Sequence, residues 1–304
     1  MAQQPATPKW KRAALRAAAA LSPALARALG PAPSEAAALS RRGHLVAAPS
    51  APEVVFILPL VGKHHVGDWA TVEARLCETL ASFTAQTDGH WRALICGQDA
   101  PTLPPDLEHD ARITFLPFTE TVEGNDKWKK LAALCRALPA QGPEDGYVMP
   151  FDADDLLAPG AVAEMRTRRA PGGYLVEQGW LLNAGTGTFA RAAPRSLAQP
   201  GQKPFWKLCG SCAAFRCSRD PAEAAFLEAL TGHEHRMFPY LAALAGRPLA
   251  PLHAPAALYI LNHGENFGAR RGRVSFKARF VERFAVSAEE EAQIRAAFPG
   301  LSAD

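Results

Sequence analysis

Three carboxylates within four positions, Asp152, Asp154 and Asp155, are the densest chemistry in the sequence, and they directly follow the apolar run Tyr147-Val148-Met149-Pro150-Phe151. Carboxylates crowded in this way repel one another unless a cation sits among them. The pair Asp152-Ala153-Asp154 offers hard oxygen ligands to Mg²⁺ or Mn²⁺, and such an ion can bridge the phosphates of a nucleotide. The same acids also suit a solvated turn in which Asp154 or Asp155 caps the following helix. An apolar strand ending in acids favours the ligand reading, because open α/β sheets bind at the carboxyl ends of their strands.

Other reactive side chains are scattered more widely. Lys127, Lys129 and Lys130 belong to a helix beginning near Asn125, whose apolar face is Trp128, Leu131, Cys135 and Leu138. Solvation accounts for such lysines, but this helix leads into the acidic strand, which brings Lys127 or Lys130 towards any phosphates bound there. Glu234 lies between His233 and His235; two histidines two positions apart point different ways on a helix, which argues against a metal pair. A carboxylate opening a helix also serves the helix dipole. His263 ends the strand-like run Leu258-Tyr259-Ile260-Leu261, a place where an isolated histidine is usually structural. Arg270, Arg271 and Arg273 follow on a glycine-punctuated loop that can close over a diphosphate or stay solvated. Trp206 suits either the core or stacking on an acceptor sugar.

The elements that must position these groups read as an α/β chain. Residues 54–60, 91–96 and 112–118 have the short apolar character of buried strands, and a helix capped by Asp68 carries Val72, Leu76, Leu80 and Phe83 at helical spacing. Strand, helix, strand, strand, helix, strand is the order of a nucleotide-binding half with parallel strands. Tyr174–Leu182 alternates and suits the edge of a mixed sheet, and Ser287-x-x-Glu290 is a capping box opening a last helix. The 304 residues are 48% hydrophobic and 21% charged, which excludes disorder throughout, and a net charge of +3 is too small and dispersed for a nucleic-acid surface. Six cysteines in mostly apolar surroundings predict reduced, buried thiols of a cytoplasmic protein, and Cys209-Gly210-Ser211-Cys212 lacks the second pair a zinc site needs. No apolar run reaches the roughly 18–20 residues of a membrane span. The first fifty residues stand apart as a basic, Ala-rich helix and linker. Trp10 and Leu21 can meet lipid with Lys9, Arg12 and Arg16 at headgroups, although Leu15 falls off that face; a loosely docked helix is the plainer expectation.

Phe-Asp-Ala-Asp-Asp-Leu-Leu after an apolar strand resembles the metal-binding motif of glycosyltransferase family 2, and the layout from about Glu53 to Gly268 is similar to that family. The resemblance implies a GT-A type, Rossmann-like three-layer α/β/α sandwich with a mixed, mainly parallel central sheet over residues 51–270. The helical tail over 271–304 lies outside the resemblance and is read from the Ser287-x-x-Glu290 capping box. The resemblance also implies an inverting glycosyltransferase using Mn²⁺ or Mg²⁺ and a nucleotide-sugar donor, with a glycan, lipid-linked or small-molecule hydroxyl acceptor. In that frame Asp152 and Asp154 hold the metal, with Asp152 also meeting the donor, and Asp99 recognises the base. Lys127, Lys130 and Arg270 meet the donor phosphates, Glu234 is the base, and His263 completes the metal site. The loop Gly62-Lys63-His64-His65 departs from the small polar sequence usual in the family. Two competing readings are a nucleotidyltransferase, which wants a more glycine-rich, basic loop there, and a non-catalytic GT-A scaffold that binds a glycan or partner. A cytoplasmic location, peripheral at the inner membrane face if the first helix meets lipid, goes with this reading.

Overall fold

Residues 54–58 are wholly buried, as a run of Val, Val, Phe, Ile and Leu demands, and this strand lies at the middle of the molecule. The computed structural model describes residues 3–44, 47–264, 274–298 and 301. Along the chain run α1 (Lys9–Leu21), α2 (Pro23–Ala28), α3 (Pro33–Arg41), β1 (Glu53–Pro59), α4 (Trp69–Thr84), β2 (Trp91–Gly97), α5 (Pro105–Glu108), β3 (Ile113–Pro117), α6 (Lys127–Gln141) and β4 (Asp145–Pro150). There follow β5 (Leu156–Leu157), α7 (Ala161–Arg168), β6 (Gly173–Leu175), β7 (Gly179–Asn183), β8 (Thr188–Ala192), β9 (Ala213–Ser218), α8 (Pro221–Thr231), α9 (Phe238–Leu244), β10 (Ala250–Pro251), β11 (Ala257–Leu261), α10 (Val274–Arg283) and α11 (Ala288–Ala297).

Seven strands form the central sheet in the order β10-β6-β9-β4-β1-β2-β3. β9 runs antiparallel to β4 and β6, and the other pairs are parallel. From β1 the chain steps outward to β2 and β3, then returns past β1 to β4. Right-handed crossovers in opposite directions put α4 and α6 on opposite faces, which gives the expected three-layer, mainly parallel, Rossmann-like α/β/α fold. The reversal also leaves a crevice where the carboxyl ends of β1 and β4 diverge, the usual ligand position in such sheets.

Aromatic packing fixes the β4 end. Phe83 of α4 stacks on Phe56 of β1 at 4.1 Å between ring centroids, and Phe151 meets both edge-on at 5.3 and 5.8 Å. Asp152 therefore emerges from an anchored residue. A smaller four-stranded sheet, β5-β11-β7-β8, begins just after the acidic run. The stretch expected to alternate over 174–182 is divided, β6 joining the central sheet and β7 the small one. The C-terminal helices supply the core of that second sheet, where Phe298 packs edge-on against Trp180 at 5.8 Å beside Ile294 and Leu258.

The N-terminal helices are docked rather than loose. Leu15 and Leu39 are wholly buried, Ser34 Oγ lies 2.7 Å from His233 Nε2, and the Tyr240 hydroxyl donates to Glu35 at 2.9 Å. Leu15, left off the apolar face in the sequence reading, is the residue that seats α1. All six cysteines are free thiols, five of them buried. Among the described residues no helix is long and apolar enough to cross a membrane.

Candidate active site

A cleft of about 360 Å³ opens at the reversal point, and its walls include Lys127, Asp152, Asp154, Glu234, His263 and Lys277. That volume falls in the range of small-molecule sites, about 300–1,000 Å³. Asp152 and Asp154 project from the turn between β4 and β5. β5 pairs antiparallel with β11, so the turn and the end of β11 are neighbours although far apart in sequence.

At the β11 end the backbone makes an unusual move that delivers His263. Asn262 adopts φ of 61°, a left-handed conformation that asparagine tolerates better than most residues, and its amide donates to Asn183 Oδ1 at 2.7 Å. Gly264 is also left-handed, at φ 92°. Between them His263 turns inward, its side chain only 4% exposed, and its Nε2 lies 2.9 Å from Asp154 Oδ2.

The three acids have different environments. Lys127 donates to Asp152 Oδ1 at 2.5 Å. Burial alone would lower the Lys127 pKa, but the charge and hydrogen bond of Asp152, with Asp154 and Asp155 behind it, hold it above the usual value. Burial would raise Asp154, yet the hydrogen bond and charge of His263 and the charge of Lys127 hold it below the ordinary carboxylate value. Asp155 behaves in the opposite way: burial, then the charges of Asp154 and Asp152, push its carboxyl well up against the hydrogen bonds of Cys209 and Ser211.

Asp155 is wholly buried and acts as the anchor of the turn. Ser211 Oγ donates to its Oδ2 at 2.5 Å and Cys209 Sγ at 3.0 Å, while the Asp152 amide donates to the same Ser211 hydroxyl at 2.8 Å. Thr79 of α4 donates to the Asp155 carbonyl at 2.9 Å. Cys209 and Ser211 thus support the acidic turn from behind, a task for which the sequence offered no signal.

These residues fit a divalent cation. The three carboxylates bring ligand oxygens within 4.8 Å of one another, and Asp155 Oδ1 is buried with no hydrogen-bond partner among the described residues. Neighbouring ligands of an octahedral ion of the Mg²⁺ size sit about 3 Å apart, close to the 2.9 Å between Asp154 and His263. Two carboxylates and an imidazole suit Mg²⁺ or Mn²⁺, the nitrogen leaning towards Mn²⁺. A second group, His64, His65 and Asp126, also has ligand atoms close together. That group offers one carboxylate, paired with the Lys130 ammonium 2.7 Å away, against three in the first, so it gives a hard cation fewer oxygens.

The remaining candidates are distributed as follows. Lys130, expected like Lys127 at the donor phosphates, borders the same cleft; its side chain is 1% exposed and its ammonium is held by Asp126 and the Leu60 carbonyl. Burial lowers its pKa against the opposing pull of Asp126. Asp99 stands just beyond β2, outside the cleft lining, and accepts the Lys63 amide at 2.8 Å. Glu234 precedes a short 3₁₀ turn, His235–Met237, that runs into α9, and it faces the cleft. Trp206 packs against the core and is not among the lining residues. Arg270, with Arg271 and Arg273, lies outside the described residues.

Lys277, Tyr259 and His235 also line the cleft, although the sequence assigns none of them a role there. Lys277 of α10 donates to the Tyr259 hydroxyl on β11 at 2.7 Å. Burial lowers its pKa, against the charges of Cys209, Asp155 and Asp152. His235 is held neutral, its pKa lowered to about 3 by burial and then by the charges of Lys277, Lys127 and Arg236. Nothing local in the sequence links a lysine of the C-terminal helix to a histidine before α9.

No family model and no curated protein matches the chain. Solved structures do overlap it. S. aureus TarS matches with a TM-score of 0.40 at 14% identity, over 70% of this chain and 37% of its own, so the chain spans little more than a third of that protein. The mannosyltransferase PcManGT from Pyrobaculum calidifontis, solved with GDP-Man and Mn²⁺, matches with a TM-score of 0.38 at 16% identity over 86% and 71%. A 4-diphosphocytidyl-2C-methyl-D-erythritol synthase matches with a TM-score of 0.35 at 14% identity over 73% and 98%. TM-scores of this size describe partial backbone overlap, and the functional reading rests on the side chains of the cleft.

Proposed function

We propose that the protein is a metal-dependent, inverting glycosyltransferase that moves a sugar from a nucleoside diphosphate sugar to a hydroxyl acceptor. The observation that carries this reading is the grouping of Asp152, Asp154, His263 and Lys127 in one cleft at the sheet's reversal point. Asp152, Asp154 and His263 would hold Mn²⁺ or Mg²⁺, which when bound supplies positive charge to the departing diphosphate. Lys127 shares that task, since its ammonium is already charged and aimed among the acids. Lys277 offers a second ammonium from another wall. Asp99 would meet the base of the donor, and Arg270 its phosphates.

On the acceptor side Glu234 takes the hydroxyl proton as attack proceeds. His235 beside it is neutral and so adds no positive charge that would weaken the base. A single displacement gives inversion, the stereochemistry that the family resemblance implies.

The test is binding and hydrolysis of UDP-, GDP- and dTDP-sugars with Mn²⁺, followed by calorimetry on Asp154→Asn. The carboxamide keeps the size and loses the charge, so Mn²⁺-dependent nucleotide binding should vanish while the melt stays cooperative. Unchanged Mn²⁺-dependent binding would end the metal assignment. Pyrophosphate release from a nucleoside triphosphate, without turnover of any nucleotide sugar, would make the protein a nucleotidyltransferase instead.

A further inference from the structure

α1 has two unlike sides. Its inner side, Leu15 and Ala19, is buried, and the Arg12 guanidinium lies 5.7 Å from the ring of Tyr240 on α9. On the outer side Trp10, Ala17 and Leu21 follow one another at helical spacing, and Trp10 and Leu21 are 73% and 82% exposed. α2 and the residue that caps it continue the same character with Leu25 and Leu29, 53% and 48% exposed. These are four of the six large apolar side chains that stand exposed among the described residues, and they occupy twenty consecutive positions.

Charge surrounds this apolar face with one sign. Residues 1–34 hold Lys9, Lys11, Arg12, Arg16 and Arg27 and no aspartate or glutamate, whereas the whole chain is only +3. The remainder therefore sums to a net acidic charge, while the segment that carries the exposed tryptophan is +5 on its own. Lys9 and Arg16 are both exposed and lie on one flank of the Trp10–Leu21 stripe. A second copy of the chain would bring like charge against like charge here.

We propose that α1 and α2 dock the protein on an anionic phospholipid bilayer, with Trp10, Leu21, Leu25 and Leu29 entering the headgroup boundary and Lys9, Lys11 and Arg16 meeting the phosphates. A helix lying in the interface, apolar on one side with cations beside it, is the form such contacts take. Because the inner side of α1 is fixed to the fold, docking involves the folded molecule and requires no release of the helix. Gln3, just ahead of α1, lines the cleft, so the docking segment adjoins the site.

The experiment is co-sedimentation of the full chain with vesicles of phosphatidylcholine alone and of phosphatidylcholine with phosphatidylglycerol, without nucleotide or acceptor, so its outcome is independent of sugar transfer. Binding is expected to the anionic vesicles only, and to weaken with added salt. Trp10→Ser with Leu21→Ser should lower it by on the order of tenfold or more. Lys9→Gln and Arg16→Gln should each cost roughly fivefold. All four positions are outward, so melting temperatures should stay with the parent. Absence of binding to anionic vesicles, equal binding to neutral ones, or unaltered binding by the Trp10→Ser/Leu21→Ser protein would overturn the proposal. So would a dimer in solution that the same substitutions dissociate, which would give the face to a second copy.

Discussion

Replacing Lys130 by methionine separates a structural ammonium from a substrate-binding one. The wild-type ammonium donates to the Leu60 carbonyl at 2.5 Å and stands 2.7 Å from Asp126 Oδ2, with the two side chains 1% and 5% exposed. Methionine keeps the apolar stem but leaves the Asp126 carboxylate to Gln98 Nε2 at 2.7 Å and His65 at 3.9 Å, and it removes the donor to Leu60. Breaking one side of a buried pair costs about 3–5 kcal/mol, and the surviving Gln98 bond argues for the lower end, about 3 kcal/mol. With unfolding entropy of roughly 2 cal/mol/K per residue, a chain of this length loses about 5 °C in melting temperature for that cost. Adding Asp126→Asn removes the uncompensated charge and should recover much of the loss. Circular-dichroism melts and calorimetric nucleotide affinity, read on the same protein, decide the matter. Lys130→Met that melts with wild type but loses nucleotide affinity would return this lysine to the phosphates and refute the argument.

Glu234→Gln should lower transfer by roughly 10²–10⁴-fold with little change in donor affinity; equal rates at saturating donor and acceptor would remove Glu234 from the mechanism. His235 titrates near 6.5 unfolded and about 3 folded, so the unfolded chain takes up a proton that the native state refuses. Stability contributed by neutral His235 is therefore complete above pH 6.5 and is lost as pH falls towards 3. Urea midpoints across that window should fall less steeply in His235→Asn than in wild type, and identical slopes would contradict the assignment. Deleting everything before Ala51 removes Leu15 and Leu39 from the core and leaves Tyr240 and His233 without Glu35 and Ser34. The truncated protein should melt several degrees lower, and an unaltered melt would show that the helices only rest on the fold.

The parallel half was legible because each of its parts has a local signature. β1, β2 and β4 are short apolar runs, Asp68 caps α4 as expected, with its side chain accepting from Ala70, and the acids stand where β4 ends. What the sequence did not reveal are partnerships across distance. Sequence periodicity leaves Lys127 and Lys130 off the Trp128, Leu131, Cys135 and Leu138 face of α6. In fact Lys127, Leu131, Leu134 and Leu138 follow one stripe, with Lys130 buried beside it. Lys127 lies on that stripe in the first turn, where the helix meets the cleft, and so finds Asp152. Lys130, one position before Leu131, finds Asp126, the residue just ahead of the same helix. Periodicity assigns a face, but the exit from that face depends on which strand lies beneath. Asp155 shows the same limit: nothing near it predicts that Ser211 and Cys209 will close over it, whereas the neighbouring Asp152 and Asp154 were recognisable as a pair.

The contact between Asp154 and His263 spans 109 residues, whereas Lys127 precedes Asp152 by 25. Synthesis runs from the amino terminus, so on the ribosome the acidic turn exists long before its histidine does. During that interval Lys127 is the cation already at hand, made earlier and carried by a helix that packs on β1 and β2. A nascent chain released before β11 would have a doubly wound sheet and neutralising lysine but an open site lacking its imidazole. Order of synthesis thus separates folding of the sheet from completion of the cleft.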